Sequence, residues 1–237
     1  MQIDGWVLAA GTLFLGSWWL LVRFLRRCET ASPADWGGSW HNRLVGMTVL
    51  FCRRFHRLPP DLLPLPAEGP VVVASNHVSG LDPLLLIAAS PRPLRFLIAR
   101  KEYERFGLTW LFRLAGCIPV DHSGHPERAL REALRVLGNG EVVAVFPHGK
   151  IHLDSDPPRR IKGGAVRLAQ RAECPIQPLR VEGVRGEGRT LLAVLLRSRV
   201  WIRVFPLLDC QRLSEQDCLL QLTRILQGKT DGEAIVD

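Results

Sequence analysis

Residues 71–83 read Val-Val-Val-Ala-Ser-Asn-His-Val-Ser-Gly-Leu-Asp-Pro, and this stretch decides the fold class. Its first four residues are a short, mostly β-branched apolar run, which reads as a strand. Polar and turn-forming residues follow at once, and Pro83 opens the apolar run 84–89. Proline suits the first turn of a helix, where its missing N–H costs nothing. A strand, a short polar turn and a helix form the first half of a βαβ unit.

The pattern repeats outward from there. Strands are expected at 94–99, 117–120, 142–146 and 176–181, and helices at 108–115, 126–137 and 164–171. Runs 191–196 and 200–205 read as a strand pair. Residues 214–226 read as a last helix, with Ser214 as its cap and Gly228 beyond its end. Strands alternating with helices predict an α/β fold, a mainly parallel mixed sheet flanked by helices. The proline-rich stretch 58–69 reads as the linker into it. We therefore divide the chain into a membrane-anchoring or interfacial helical segment, 1–57, and an α/β domain, 58–237.

The chain has 237 residues, 47% hydrophobic and 23% charged, which excludes a disordered or fibrous protein. Six scattered cysteines are too few for a disulfide scaffold, and the absence of a Cys-x-x-Cys pair argues against a zinc ribbon. No metal site is expected. The net charge is +8, and 27 of the 31 basic residues are arginine. Such a balance favours anionic partners, though arginine richness also follows from a GC-rich genome.

The N-terminus directs that charge toward a membrane. Residues 5–22 carry no charge and, as a helix, span about 27 Å, close to a ~30 Å hydrocarbon core. Arg23, Arg26 and Arg27 follow, with Trp18 and Trp19 at the same end. A signal peptide would start basic and end at small residues, the reverse of this order. From Arg23 to Arg57 seven arginines face two acids, a net +5. The reading is a single N-terminal membrane anchor, a transmembrane helix or one lying within a single leaflet, with the body on the cytoplasmic side, on the inner membrane if bacterial; a buried core helix stays open because Gly5, Gly11 and Gly16 dilute the run. Residues 44–55 read as an interfacial helix or as a helix packed on the domain. With the basic excess beside an apolar segment, nucleic acid is not an expected partner.

In parallel sheets, active sites gather at the carboxyl ends of strands. His77 stands there, with Asp82 five residues on. A carboxylate on an imidazole fixes its tautomer and leaves the other nitrogen free to take a proton from a substrate hydroxyl. On spacing alone, a loop histidine and a helix-capping aspartate explain the pair better. Phe146-Pro147-His148-Gly149-Lys150 follows the 142–146 strand, and Arg100-Lys101 follows 94–99. A base, cations and turn amides on neighbouring strand ends suit an alcohol substrate that bears a phosphate. Arg159, Arg160 and Lys162, before Gly163-Gly164, read as a solvated loop.

Taken in order, these blocks resemble the lysophosphatidic acid acyltransferase family. The first motif is Asn76-His77 with Asp82. The second runs from Ala99-Arg100-Lys101-Glu102 to Gly116-Cys117-Ile118-Pro119-Val120-Asp121, the third is Phe146-Pro147-His148-Gly149, and the fourth is Ile176-Gln177-Pro178. The resemblance covers about 71–181. It implies a membrane-associated O-acyltransferase of phospholipid biosynthesis. Its donor would be acyl-CoA or acyl carrier protein and its acceptor a lysophospholipid, first of all 1-acyl-glycerol-3-phosphate, with no bound cofactor. His77 is the implied base and Asp82 its partner. Asn76, Arg100, Lys101, Phe146, Pro147, His148, Gly149 and Lys150 are the implied substrate-binding residues.

Two departures touch the acceptor end. His148 replaces the family's glutamate and is followed, after Gly149, by Lys150 instead of threonine or serine. Asp121-His122 stands where Asp-Arg is usual. The alternatives these leave open are another acceptor such as a lyso-aminolipid, a non-catalytic lipid- or acyl-carrier-binding homologue, and a thioester hydrolase using the same His–Asp pair.

Overall fold

A computed structural model describes residues 5–105, 107, 109–121, 126–157 and 159–228, with side chains left undescribed at 5–10 and 126. The elements run α1 (Gly5–Ala31), α2 (Ser39–Arg54), β1 (Val71–Ser75), α3 (Asp82–Ala89), β2 (Leu94–Ala99), α4 (Arg100–Tyr103), α5 (Thr109–Leu114) and β3 (Ile118–Val120). They continue with α6 (Pro126–Gly138), β4 (Val142–Val145), α7 (Gly164–Arg171), β5 (Ile176–Glu182), α8 (Thr190–Leu195), β6 (Trp201–Val204) and α9 (Glu215–Leu226). The six strands form one sheet in the order β3-β2-β4-β1-β5-β6. All neighbours are parallel except the antiparallel β5–β6 pair.

β1 lies in the middle of this sheet, and all five of its residues are buried. The strand's period of two explains its uninterrupted apolar run. Val71 and Val73 enter a core shared with Leu85 and Leu86 of α3 and Val49 and Cys52 of α2. Val72 and Ala74 enter the opposite core, with Ala133 of α6, Val166 of α7 and Leu222 of α9. The sheet is therefore covered on both sides, as a mostly parallel sheet requires.

The helices begin and end where local chemistry dictates. Pro83 lies in the first turn of α3. Ser214 accepts a hydrogen bond from the Asp217 N–H and caps α9. Gly116, at φ 64°, carries the backbone from α5 into β3 in the left-handed region. Cys210 is joined to Cys218, which ties the chain after β6 to the start of α9.

One expectation requires correction. Residues 190–195 are the helix α8 and not a strand partner of β6. A short continuous apolar run does not distinguish the two by pattern. Here Ala193 alone is fully buried while Leu191, Leu192 and Leu195 point outward.

α1 is 27 residues long, and among the described residues no helix is long and apolar enough to cross a membrane. Gly11, Thr12, Gly16 and Ser17 dilute its apolar run.

α2 is a packed helix. Gly46, Val49 and Cys52 are buried, and Val49 and Cys52 belong to the same core as β1, so that core continues across residue 57. α1 lies along α2, and the contact is closest at Gly46. A Cβ there would sit 1.6 Å from the Cys28 carbonyl oxygen, whereas one at Gly16 would meet nothing within 4 Å. Gly46→Val should therefore force the two helices apart and cost about 1–3 kcal/mol, while Gly16→Val should leave stability unchanged. Denaturation midpoints of the two variants in detergent check this.

Candidate active site

The parallel arrangement brings the ends of β1, β2 and β4 to one edge of the sheet. Register aligns Ala74 of β1 with Val145 of β4, so the residues that follow, Ser75-Asn76-His77 and Phe146-Pro147-His148, emerge side by side. His77 Nδ1 lies 2.8 Å from Asp82 Oδ2. Asp82 is completely buried, and the His77 side chain keeps 19% of its surface exposed.

Asp82 is held by its own loop. Oδ2 also accepts from the backbone N–H groups of Val78, at 2.7 Å, and Ser79, at 2.9 Å. Oδ1 accepts from the Ser79 hydroxyl at 2.6 Å. Asp82 is the first residue of α3, and its reach back to the Ser79 N–H closes the loop onto the start of that helix. Its carboxylate braces the loop and orients the histidine, and it does not cap the helix. With Asp82 surrounded by donors, Nδ1 of His77 carries the proton and Nε2 is left as the acceptor.

The other face of the site comes from β4. The Phe146 ring stacks on the His77 imidazole, 4.3 Å between centroids and 20° between planes. Phe96 of β2 stacks in turn on Phe146. The His152 N–H donates to the His77 carbonyl at 2.8 Å, so the loop after β4 also fixes the His77 backbone.

Asn76 is buried, and both ends of its amide are bonded to Val181 of β5: Oδ1 accepts from the N–H at 2.7 Å and Nδ2 donates to the carbonyl at 3.0 Å. It therefore sets the position from which His77 projects. Pro147 is buried, and its carbonyl accepts from the Lys162 N–H. Gly149, at φ 71°, makes the tight turn, and Lys150 is exposed beyond it. The Lys162 ammonium lies over that turn: a Cβ on Gly149 would sit 2.8 Å from its Nζ. Lys162 is thus exposed at the site edge, and Arg159 and Arg160 are exposed as well. Arg100 and Lys101 are exposed on α4, two strands from β1, and Arg100 pairs with Glu104 and Asp121. His122 lies outside the described residues.

His148 is buried, and neither ring nitrogen has a hydrogen-bond partner. It stacks on His152 at 4.6 Å and borders a cavity of about 70 Å³ shared with Asn76, Asp154 and Asp156. Burial, reinforced by His152, Arg159 and His77, pushes its pKa down to about 4, so the ring is neutral at physiological pH. Nearby, buried Arg180 of β5 bonds Glu182, Asp154 and the Leu226 carbonyl, pinning the loop after β4 to the end of α9. A larger hollow of about 680 Å³ lies elsewhere, lined by His41, Trp110 and Arg113, and includes none of these residues. Among the described residues, no three His, Cys, Asp or Glu side chains are grouped to hold a metal ion.

Sequence reading overlooked Ser79, His152 and Arg180. Ser79 lies inside the Asn76–Asp82 block, but its spacing does not mark it as a donor to Asp82. His152 and Arg180 act through contacts across the fold and leave no local signal.

The depressed His148 pKa has a measurable consequence. Between about pH 6.5 and 4 the unfolded chain binds a proton that the folded chain refuses. Stability should therefore fall as pH drops through that window, by roughly 2–3 kcal/mol from this residue. His148→Leu should flatten that part of the profile, as read from unfolding midpoints across pH.

Comparison with known proteins shows the family and the fold. The acyltransferase family model matches residues 61–182, just over half of the chain. An N-acylphosphatidylethanolamine synthase from Arabidopsis thaliana is 31% identical over 124 residues, 48% of this chain and 43% of that protein. A 1-acyl-sn-glycerol-3-phosphate acyltransferase from Bacillus subtilis is 25% identical over 120 residues, 50% of this chain and 59% of that protein. The chain thus spans about half the length of the curated relatives it matches. The crystal structure of the 1-acyl-sn-glycerophosphate acyltransferase PlsC from Thermotoga maritima superposes with a TM-score of 0.59 at 20% identity, over 93% of this chain and 90% of that one, and shares the fold. The matched region contains β1, the His77–Asp82 pair and the Phe146–Gly149 turn, and by it the chain belongs to the acyltransferase family.

Proposed function

We propose that this protein transfers a fatty acyl group from a thioester, acyl-CoA or acyl carrier protein, to the hydroxyl of a lysophospholipid. The observation that carries the reading is the His77–Asp82 pair, with Nδ1 committed to a buried carboxylate and Nε2 left as a base. The acceptor hydroxyl gives its proton to Nε2 as its oxygen attacks the thioester carbonyl. The tetrahedral intermediate collapses, the C–S bond breaks, and the leaving sulfur takes the proton from the imidazolium. An ester and a free thiol result, and His77 returns to its starting state. The substrate alcohol is the nucleophile, so no acyl-enzyme is required.

Phosphatidic acid, formed from 1-acyl-glycerol-3-phosphate, is the first product we assign. Lys150 and Lys162 at the Gly149 turn, with Arg100 and Lys101 on α4, supply cationic groups at this sheet edge for an acceptor phosphate. His148 points to a second reading, another lysolipid such as a lyso-aminolipid, because a buried neutral ring stands where the family has a carboxylate.

We further propose that the protein works at a membrane surface, with α1 lying in the interface. Leu13, Phe14, Trp18 and Trp19 of α1 are all exposed, with Arg23, Arg26 and Arg27 following. That combination fits a headgroup-level helix flanked by cations. The basic excess beside α1 favours the anionic cytoplasmic leaflet, so we place the body on that side.

The test is an acyl-transfer assay on purified protein in detergent, with acyl-CoA or acyl carrier protein and a panel of lysolipids. Lysophosphatidic acid should be acylated. His77→Ala should lose at least about 10²–10⁴-fold in kcat, the range for a general base. Asp82→Asn should lose a comparable factor by favouring the wrong tautomer. Acylation of a different lysolipid alone supports the second reading. Full activity of His77→Ala, or fatty acid release that ignores every acceptor, contradicts the mechanism.

A further inference from the structure

The segment 185–199 has no part in the chemistry above, yet it borders the catalytic loop. The Gly188 N–H donates to the Val78 carbonyl at 2.8 Å, one residue past His77. A Cβ on Gly80 would lie 2.4 Å from the Thr190 carbonyl oxygen, so the first residue of α8 rests directly on the loop between His77 and Asp82. At the other end, the Val200 N–H donates to the His56 carbonyl, just past α2. Ala193 and Val200 share a core with Val49 and Cys52 of α2 and with Val78. α8 is thus seated between the catalytic loop and the basic end of α2.

Its outer face is apolar. Leu191 is 70% exposed and Leu195 64%, and Leu192 is exposed with them. Arg185, Arg189, Arg197 and Arg199 flank this face and are exposed; Glu187 is the one acid in the segment, which leaves a net +3. Exposed leucines ringed by arginines match an anionic phospholipid surface, where the leucines enter the acyl boundary and the guanidinium groups meet phosphates. A second copy of the chain would set like charge against like charge.

We propose that α8 and its flanking arginines are a second contact surface for an anionic phospholipid bilayer. They are distant in sequence from α1 and hold the His77 loop against the lipid from which the acceptor is drawn. The proposal rests on the reading of this protein as acting at a membrane.

The test uses the full chain with single added cysteines bearing an environment-sensitive nitrobenzoxadiazole dye; Cys28, Cys52, Cys117 and Cys174 are buried. Leu195→Cys reports on α8, Leu21→Cys on α1, and Leu220→Cys on α9 across the sheet serves as control. Each is mixed with vesicles of phosphatidylcholine with or without phosphatidylglycerol, carrying a spin-labelled quenching lipid. The dyes at 195 and 21 should shift to the blue and be quenched on phosphatidylglycerol vesicles, and the dye at 220 should not. Arg189→Gln with Arg197→Gln should weaken binding to those vesicles by about tenfold or more. Quenching at 21 without quenching at 195 overturns this proposal and leaves the membrane reading standing. Quenching at neither overturns both. A blue shift at 195 without vesicles that grows with protein concentration makes a second copy the occupant and also overturns it.

Discussion

A fully buried carboxylate must have its lone pairs satisfied, and the way Asp82 meets that demand organises the site. Left unpaired, a charge of this kind costs several kcal/mol. Four donors surround it, and three of them come from Val78 and Ser79, so the loop after β1 must fold back over the start of α3. The fourth is His77. The requirement that stabilises the loop therefore also selects the imidazole tautomer. Gly80 has no room for a side chain because α8 lies against it, and Pro83 commits the next residues to a helix. One hydrogen-bond shell connects local folding to the protonation state of the base.

The sheet supplies the rest. Parallel neighbours put the ends of β1, β4 and β2 on one edge, and the register of β1 with β4 makes Phe146 the natural neighbour of His77. The acidic partner is buried while the base stays accessible, the division of labour that proton transfer needs. The β4 side carries a different kind of group. His148 is a buried neutral ring with unpartnered nitrogens, and Lys162 lies over the Gly149 turn beyond it.

Much of this was legible in the sequence because it follows from short-range rules. Val71-Val72-Val73-Ala74 reads as a strand and is one, and the bounds of β2 and α7 match the apolar periods that mark them. His77 and Asp82 were legible as a pair only with the family blocks around them, because five-residue spacing alone does not tell a base from a loop histidine. The misreading has a physical cause. Residues 191–196 are rich in leucine, which suits a helix at least as well as a strand, and one buried alanine sufficed to seat them as α8. The burial of His148 and the Arg180 tie to Asp154 and Leu226 arise from contacts far apart in the chain, which no local pattern encodes.

The account depends most on the claim that Asp82 holds His77 with the proton on Nδ1. Nitrogen-15 NMR of histidine-labelled protein at neutral pH, with His77 assigned by the His77→Gln variant, tests it directly. The account predicts an Nδ1 shift of a protonated ring nitrogen, a strongly downfield Nδ1 proton, and an Nε2 shift of an unprotonated one, with the pattern lost in Asp82→Asn. A ring protonated on Nε2, or two averaged nitrogen shifts that Asp82→Asn leaves unchanged, would contradict it.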